Sequence, residues 1–98
     1  REEIMYVESH NSQCILHQVG QKTYTLYKKL GEIEQELTAP CFLRCHQSFI
    51  VNMNRVRVAE DDFLMMSGAH IPIRQRGSRA IRDAYFGYLL ERAELTRI

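Results

Sequence analysis

The sequence predicts a mostly β domain of the α+β class, and two patterns lead to this prediction. Short segments rich in β-branched and aromatic residues recur along the chain, separated by Gly, Pro, Asn or Asp residues that are typical of turns. Two other segments carry apolar residues at the spacing of three and four that is typical of helices. Many short strands with only two helices indicate this class. The 98 residues suffice for a single domain, residues 1–98, with its own core.

The first strands are predicted between residues 4 and 26. Residues 4–8 (IMYVE) are β-rich, and the polar residues 10–12 (HNS) predict a turn after them. Residues 13–19 and 22–26 follow as two further β-rich segments. Because Gly20-Gln21 lies between them, this stretch is predicted to form a hairpin.

A short amphipathic helix and five more strands are predicted next. Leu30, Ile33 and Leu37 recur at near-helical spacing, and the helix must stop before Pro40. The β-rich segments after it include a turn at residues 60–62 (EDD). The strand around Pro72 is expected at a sheet edge. These segments are residues 42–44, 48–51, 56–59, 63–66 and 70–73.

The last predicted element is a helix from about Ser78, whose side chain is expected to cap its start. The segment carries more apolar residues than one helix face needs. It therefore either packs into a groove of the domain or supports self-association, and packing is the favoured interpretation. The apolar residues are Ile81, Ala84, Tyr85, Phe86, Tyr88, Leu89 and Leu90.

The composition excludes several classes of protein. Hydrophobic residues make up 45% of the chain and charged residues 26%, as in folded globular domains and unlike disordered segments. No apolar run could span a bilayer and no signal-peptide pattern is present, so no membrane partner is expected. Cys14, Cys41 and Cys45 form an odd, irregularly spaced set, which favours reduced thiols in a cytoplasmic protein. Because the chain starts at Arg1, we expect a longer parent protein.

The charge distribution indicates a basic surface, although the net charge is only +1. Residues 70–82 contain four arginines and no acidic residue, whereas acidic residues gather elsewhere, as in residues 60–62. A nearly neutral chain can therefore present one basic face to a nucleic acid. Scattered solvated arginines would give the same count, so charge alone leaves both interpretations open.

Neither catalysis nor metal binding is predicted. The chain has no Gly-rich phosphate loop, no G-x-S-x-G motif and no H-E-x-x-H motif. Zinc ligands could be sought in Cys41, Cys45, His46 and His70, but the C-x3-C-H spacing lacks the paired ligands of structural zinc sites. We therefore expect no enzyme and no cofactor.

One segment carries a family resemblance. Residues 42–52 (FLRCHQSFIVN) match the pattern F-x-R-x-H-x-S-[FY]-[IV]-V-N at every specified position. This pattern resembles the signature of LytTR (LytR/AlgR-type) domains. Residues 5–8 (MYVE), the helical segment 30–37 and residues 68–73 (GAHIPI) resemble flanking features of that family in the same order. The resemblance covers about residues 4–81.

The resemblance implies a fold and a function. LytTR domains are elongated arrangements of small, mainly antiparallel sheets, with roughly ten short strands. They bind duplex DNA in bacterial promoters, as pairs on direct repeats, through loops that enter successive major grooves. They usually follow a receiver domain in cytoplasmic response regulators of two-component systems. The resemblance therefore implies sequence-specific DNA binding and transcription regulation. The alternative is a protein-interaction or sensor module of the same fold without DNA binding.

The resemblance also implies roles for individual residues. Base edges would be read by Gln47 and Arg76, because a Gln amide fits adenine and a guanidinium fits guanine. Candidates for base reading in the first loop, residues 9–14, are His10, Asn11 and Gln13. Phosphate would be held by Arg44, Ser48 and Arg79. Arg74 is a further phosphate candidate because of the chemistry of its guanidinium alone.

Other polar and aromatic residues have structural interpretations. His46 and Asn52 lie among apolar residues, so hydrogen-bonded structural roles are expected. Cys45 is expected to be an inert buried thiol, although its oxidation could disturb DNA contact two residues away. The spacing of the tyrosines favours core packing over base stacking. These tyrosines are Tyr6, Tyr24, Tyr27, Tyr85 and Tyr88.

Overall fold

The computed structural model describes residues 2–95 and confirms the mostly β, α+β prediction. Eight strands, two α-helices and one 3₁₀ helix are present in this range, and the molecule measures 42 × 29 × 26 Å. In chain order the elements are β1 (Ile4–His10), β2 (Gln13–Gln18), β3 (Lys22–Leu26), α1 (Leu30–Glu36), β4 (Phe42–His46), β5 (Phe49–Asn52), a 3₁₀ helix (Met53–Arg55), β6 (Val56–Ala59), β7 (Asp62–Met65), β8 (His70–Pro72) and α2 (Ser78–Leu95).

The strands form two antiparallel sheets. The larger has the order β3-β2-β1-β5-β4, and the smaller has the order β6-β7-β8. The predicted β2–β3 hairpin is confirmed, and Gly20 and Gln21 both have positive φ at its turn. A second non-glycine residue with positive φ is Asn11, in the two-residue β1–β2 turn, where Asn tolerates the left-handed conformation.

Both faces of the five-stranded sheet are covered over its central strands, whereas the edge strand β3 is exposed. Helix α1 packs on one face through Leu30 and Ile33, together with the sheet residues Val7, Cys14 and Ile50. The second sheet and α2 cover the other face, where the larger core contains Cys45, Val51, Phe63, Met65, Ile71 and Tyr85. Strand β5 is therefore buried on both sides, which explains its continuous apolar run.

Helix α2 is attached to the domain by one face only. Ile81 and Tyr85 are buried, and the Tyr88 hydroxyl donates a hydrogen bond to Asn54 Oδ1 at 2.8 Å. Phe86, Leu89 and Leu90 are exposed, so packing against the domain accounts for only part of the apolar residues in this helix.

The structure corrects several sequence predictions. Strand β1 continues to His10, which pairs with Gln13, so only Asn11 and Ser12 form the first turn. Ser78 is the first residue of α2, and its hydroxyl accepts a hydrogen bond from Arg82 instead of capping the helix. The first helical bonds are accepted by the carbonyl of Gly77.

The prediction of core packing was wrong for two tyrosines. Tyr24 is 57% exposed, because β3 is an edge strand with every residue exposed to solvent. Tyr27 follows the end of this strand and is 80% exposed. Tyr85 is buried, and Tyr6 and Tyr88 pack partly buried against the larger core. Alternation along a strand predicts two faces, but it does not predict that both faces of this edge strand meet water.

Within residues 2–95, no helix is both long enough and apolar enough to cross a membrane.

Candidate nucleic-acid interface

Two hairpin turns lie at the same end of the five-stranded sheet. Strands β1 and β5 are antiparallel neighbours with Glu8 opposite Phe49, so the end of β1 lies beside the start of β5. The Asn11–Ser12 turn follows β1, and the Gln47–Ser48 turn precedes β5. A hydrogen bond of 2.8 Å from Ser9 N to Ser48 O joins the two hairpins. We refer to residues 9–14 as the first loop and to residues 46–48 as the second loop.

The second loop is held in shape by Arg44. Its Nε donates to His46 O at 2.9 Å, and its Nη2 donates to Gln47 O at 2.7 Å. Its Nη1 donates to Glu34 Oε1 of α1 at 2.8 Å. The guanidinium thus fixes the carbonyls of the turn and leaves the Gln47 side chain exposed. Sequence reasoning gave Arg44 a phosphate-holding role and missed this structural one.

The third loop, residues 74–79, starts beside the second. Arg74 N donates to Cys45 O of β4 at 2.9 Å, so the chain leaves β8 next to the end of β4. Gln47 and Arg76 are each two residues from this bond, which limits their Cα atoms to a separation of about 20 Å. The three loops are therefore neighbours, in the order first, second, third.

The third loop is stabilised by a hydrogen bond from the side chain of Arg74, its first residue. Arg74 Nε donates to Arg76 O at 3.0 Å, so the Arg74 guanidinium lies over the loop. Gly77 has φ of +76°, and a Cβ there would lie 3.5 Å from Nε and Nη2 of Arg74. Arg76 and Arg79 are exposed on either side of this glycine. Within the described residues, none of these three arginines makes an ion pair with a carboxylate.

The residues of the first loop differ in accessibility. His10 and Asn11 are exposed, whereas Gln13 is half-buried in the pairing with β1. Cys14 closes the loop as a buried residue whose thiol donates to Lys28 O at 3.2 Å. Asn11 is therefore the one candidate of this loop that occupies the turn itself.

The structural roles predicted for His46 and Asn52 are confirmed. His46 Nδ1 accepts a hydrogen bond from Ser48 N at 3.1 Å, which closes the second loop from inside. Asn52 is 1% exposed, donates to Ile4 O at 2.8 Å and accepts from Asn54 N at 2.9 Å. Both side chains satisfy backbone groups that strand pairing leaves open.

Cys45, in β4, is fully buried in the larger core. Its thiol lies near the carbonyls of Phe49 and Pro72, at 3.9 and 3.6 Å. Burial raises the pKa of the Cys45 thiol to about 12, so the thiol is neutral at physiological pH. This agrees with the prediction of an inert buried thiol.

A fourth segment reaches the same end of the sheet and was missed by sequence reasoning. Leu26 at the end of β3 pairs with Cys14, so residues 27–32 run beside the first loop. This segment and the first two loops enclose an open groove of about 580 Å³. The sequence does indicate this segment, because Lys28 and Lys29 follow a β-rich stretch. Three glutamates of α1 come soon after them, however, so the local charge does not stand out as basic.

The surroundings of these loops contain no obvious metal site. Among residues 2–95, no three His, Cys, Asp or Glu side chains come together in an arrangement that could hold an ion. What the arrangement offers instead is hydrogen-bonding amides, exposed guanidinium groups and turn backbone, which are the groups that contact base edges and phosphates.

The sequence is similar to those of known DNA-binding regulators. The sequence matches the family described as the LytTr DNA-binding domain over residues 1–85. The transcriptional regulatory protein YpdB of Escherichia coli K12 is 31% identical over 61 residues, which cover 62% of this chain and 25% of that protein. YpdB of Shigella flexneri matches with the same figures. The chain thus spans about a quarter of the length of these curated relatives.

A solved structure agrees with the fold. It is the LytTr DNA-binding domain of a Bacillus cereus protein assigned as a methyl-accepting/DNA response regulator. The two structures align with a TM-score of 0.73 at 28% identity, covering 85% of this chain and 81% of the other. With a family match over residues 1–85 and this shared fold, the chain belongs to the LytTr family of DNA-binding domains.

Proposed function

We propose that this domain binds duplex DNA sequence-specifically, with its loops in the major groove, and thereby regulates bacterial transcription. The observation that carries the proposal is the grouping of three loops by two backbone hydrogen bonds, Ser9 N to Ser48 O and Arg74 N to Cys45 O. Polar turns on stiff strands can project into a groove without a recognition helix. Within the described residues, the third loop also carries three arginines without carboxylate partners.

Gln47 and Arg76 are proposed to read base edges. Both side chains are exposed, and the backbone carbonyl of each residue accepts a hydrogen bond from a neighbouring arginine. A Gln amide can pair with N6 and N7 of adenine, and a guanidinium can pair with O6 and N7 of guanine. His10, Asn11 and Gln13 remain candidates, of which Asn11 has the most favourable position because it forms the turn.

Phosphate contacts are proposed for Arg74, Arg79, Ser48 and Arg44. Arg79 lies in the first turn of α2, and Ser48 lies in the second loop beside Gln47. Arg74 already donates to a loop carbonyl, and its remaining N–H groups would contact DNA. Arg44 donates to two loop carbonyls and pairs with Glu34, so it would contact a phosphate in competition with that carboxylate. Such contacts set position and strength of binding, not sequence preference.

We further propose that two copies bind side by side on direct repeats in a promoter. The full-length protein would carry a receiver or other regulatory domain that brings the copies together. This arrangement raises the effective concentration of the second copy and therefore the occupancy of the site. We also propose that the protein functions in the cytoplasm.

The proposal is tested by selecting bound sequences from a random duplex pool and measuring affinity for the selected site. Gln47→Ala and Arg76→Ala should each relax the preference at one base pair, by about 1–3 kcal/mol of discrimination. Arg79→Ala should weaken binding to all duplexes alike and reduce the salt slope by about 0.9. Arg57→Ala, an exposed arginine in β6, serves as the matched control and should behave like the parent.

Absence of any duplex binding at low salt would overturn the proposal. The alternative, an interaction module of the same fold, is favoured by one observation, the exposed Phe86 and Leu90 on α2. If the parent binds DNA but Gln47→Ala and Arg76→Ala keep its full preference, the assignment of the base-reading residues is wrong.

A further inference from the structure

The groove beside the second loop has one wall that no predicted DNA contact accounts for. This wall is residues 27–32, which join β3 to α1 and form the first turn of that helix. The rest of the lining is Ser9, Asn11, Ser12, Arg44 and Gln47. A duplex contacted by Asn11 and Gln47 would therefore lie close to this wall.

Tyr27 is held at the groove with its side chain in solvent. It is 80% exposed, the highest value among the large exposed hydrophobic residues of the described chain. It follows β3, and the next residue is fixed by the hydrogen bond from Cys14 Sγ to Lys28 O. An exposed phenol on a fixed backbone combines an apolar ring with a hydroxyl donor, which suits contact with a sugar and a phosphate.

The charges of the groove leave one lysine available. Lys28 Nζ pairs with Glu36 Oε2 at 2.8 Å, and Arg44 pairs with Glu34. Glu32 also lines the groove, and its Oε1 accepts a hydrogen bond from the Lys29 backbone N–H at 3.1 Å. Within residues 2–95, the Lys29 ammonium makes no ion pair. Lys29 is thus the cation of this wall that can take a phosphate without breaking an ion pair.

We infer that Tyr27 and Lys29 form a further phosphate-binding site, which holds the DNA backbone beside the bases contacted by the first two loops. The inference rests on the proposed function, because it needs a duplex positioned by Asn11 and Gln47. Lys29 donates to one phosphate through its ammonium, and Tyr27 donates to a phosphate through its neutral hydroxyl. The site increases the affinity and fixes the position of the domain along the duplex, but it does not discriminate between bases.

The test measures duplex affinity against salt concentration for two variants with matched controls. Lys29→Ala should lower affinity roughly two- to fivefold for every sequence, as expected for one exposed ion pair. It should also reduce the salt slope by about 0.9, because one phosphate contact is lost. Tyr27→Phe should lower affinity by a similar factor without changing the slope, because the hydroxyl carries no charge.

The controls come from strand β3, which directly precedes Tyr27. Lys22→Ala and Tyr24→Phe alter exposed residues at the far end and the middle of β3, away from the groove, and both should behave like the parent. If the parent shows sequence preference but Lys29→Ala and Tyr27→Phe match the controls, this inference fails and the proposed function stands. If the parent binds no duplex at all, the proposed function fails first. A change in base preference in either variant would also overturn the inference.

Discussion

Arg44 Nη1 lies 2.8 Å from Glu34 Oε1, and this contact ties α1 to the second loop. The other donors of the same guanidinium hold the carbonyls of His46 and Gln47. The ion pair is partly exposed, with 28% of the Arg44 side chain and 48% of the Glu34 side chain accessible. A carboxylate and a phosphate use the same guanidinium edge, so Glu34 occupies a position that a DNA phosphate would take.

Glu34→Gln should therefore strengthen DNA binding. Removal of the charge weakens the bond from Arg44 Nη1 to residue 34, so that a phosphate can displace it, while the bonds to the loop carbonyls remain. Affinity should rise roughly two- to fivefold for all duplexes, since an exposed pair of this kind contributes at most about 1 kcal/mol. Titrations at several salt concentrations provide the measurement, with Glu91→Gln on exposed α2 as the control for net charge. Weaker binding by Glu34→Gln would mean that Glu34 positions Arg44 and does not compete with DNA.

Asn52→Ala should destabilise the fold without any direct effect on the DNA surface. The change leaves Ile4 O and Asn54 N without their buried partner, which costs about 2–3 kcal/mol. Urea denaturation gives the free energy of unfolding, and Gln35→Ala on the exposed side of α1 should change it by less than about 0.5 kcal/mol. Equal stability of the two variants would contradict the role assigned to Asn52.

The Cys45 thiol should resist alkylation in the folded protein. With a pKa of about 12, the thiolate is scarce at pH 8, and the residue is fully buried. Iodoacetamide should modify the half-buried Cys41 first, as read by mass spectrometry of digested peptides. Modification of Cys45 at the rate of Cys41, without denaturant, would refute this expectation.

The same burial predicts a pH dependence of stability. The pKa of Cys45 rises from 9.0 to about 12 on folding, so the unfolded thiol ionises first. The contribution of this residue is fully present below pH 9 and is lost as the pH rises towards 12. Relative to Cys45→Ala, the parent should lose free energy of unfolding across that window and not below it.

Gly77→Ala should damage the third loop, whereas Gly87→Ala should not. Gly77 has φ of +76°, which costs an alanine about 1 kcal/mol, whereas the added methyl group would lie at van der Waals distance, 3.5 Å, from the Arg74 guanidinium. DNA affinity should fall with stability because Arg74 and Arg76 share this loop. Gly87 lies within α2 with open space around it, so its replacement by Ala should stabilise the fold by up to about 1 kcal/mol. In thermal denaturation, the melting temperature should fall for Gly77→Ala and rise for Gly87→Ala.

The local elements of this protein follow from its sequence. The hairpin turn at Gly20 and Gln21, the end of α1 before Pro40 and the helical apolar spacing of Ile81 and Tyr85 are signals carried by neighbouring residues. Each can be predicted from the spacing of apolar residues in a strand or helix, or from the conformational preference of a turn residue. The family signature is equally local, because it lies within the eleven consecutive residues 42–52.

The tertiary structure decided how these elements assemble into a surface. The pairing of β1 with β5 joins residues about 40 positions apart in the sequence, and this pairing brings the first two loops together. The same assembly leaves β3 at an edge with Tyr27 in solvent, and it directs Glu34 to Arg44. Periodicity cannot predict such relationships, because they depend on which strands are neighbours and on which helix covers them.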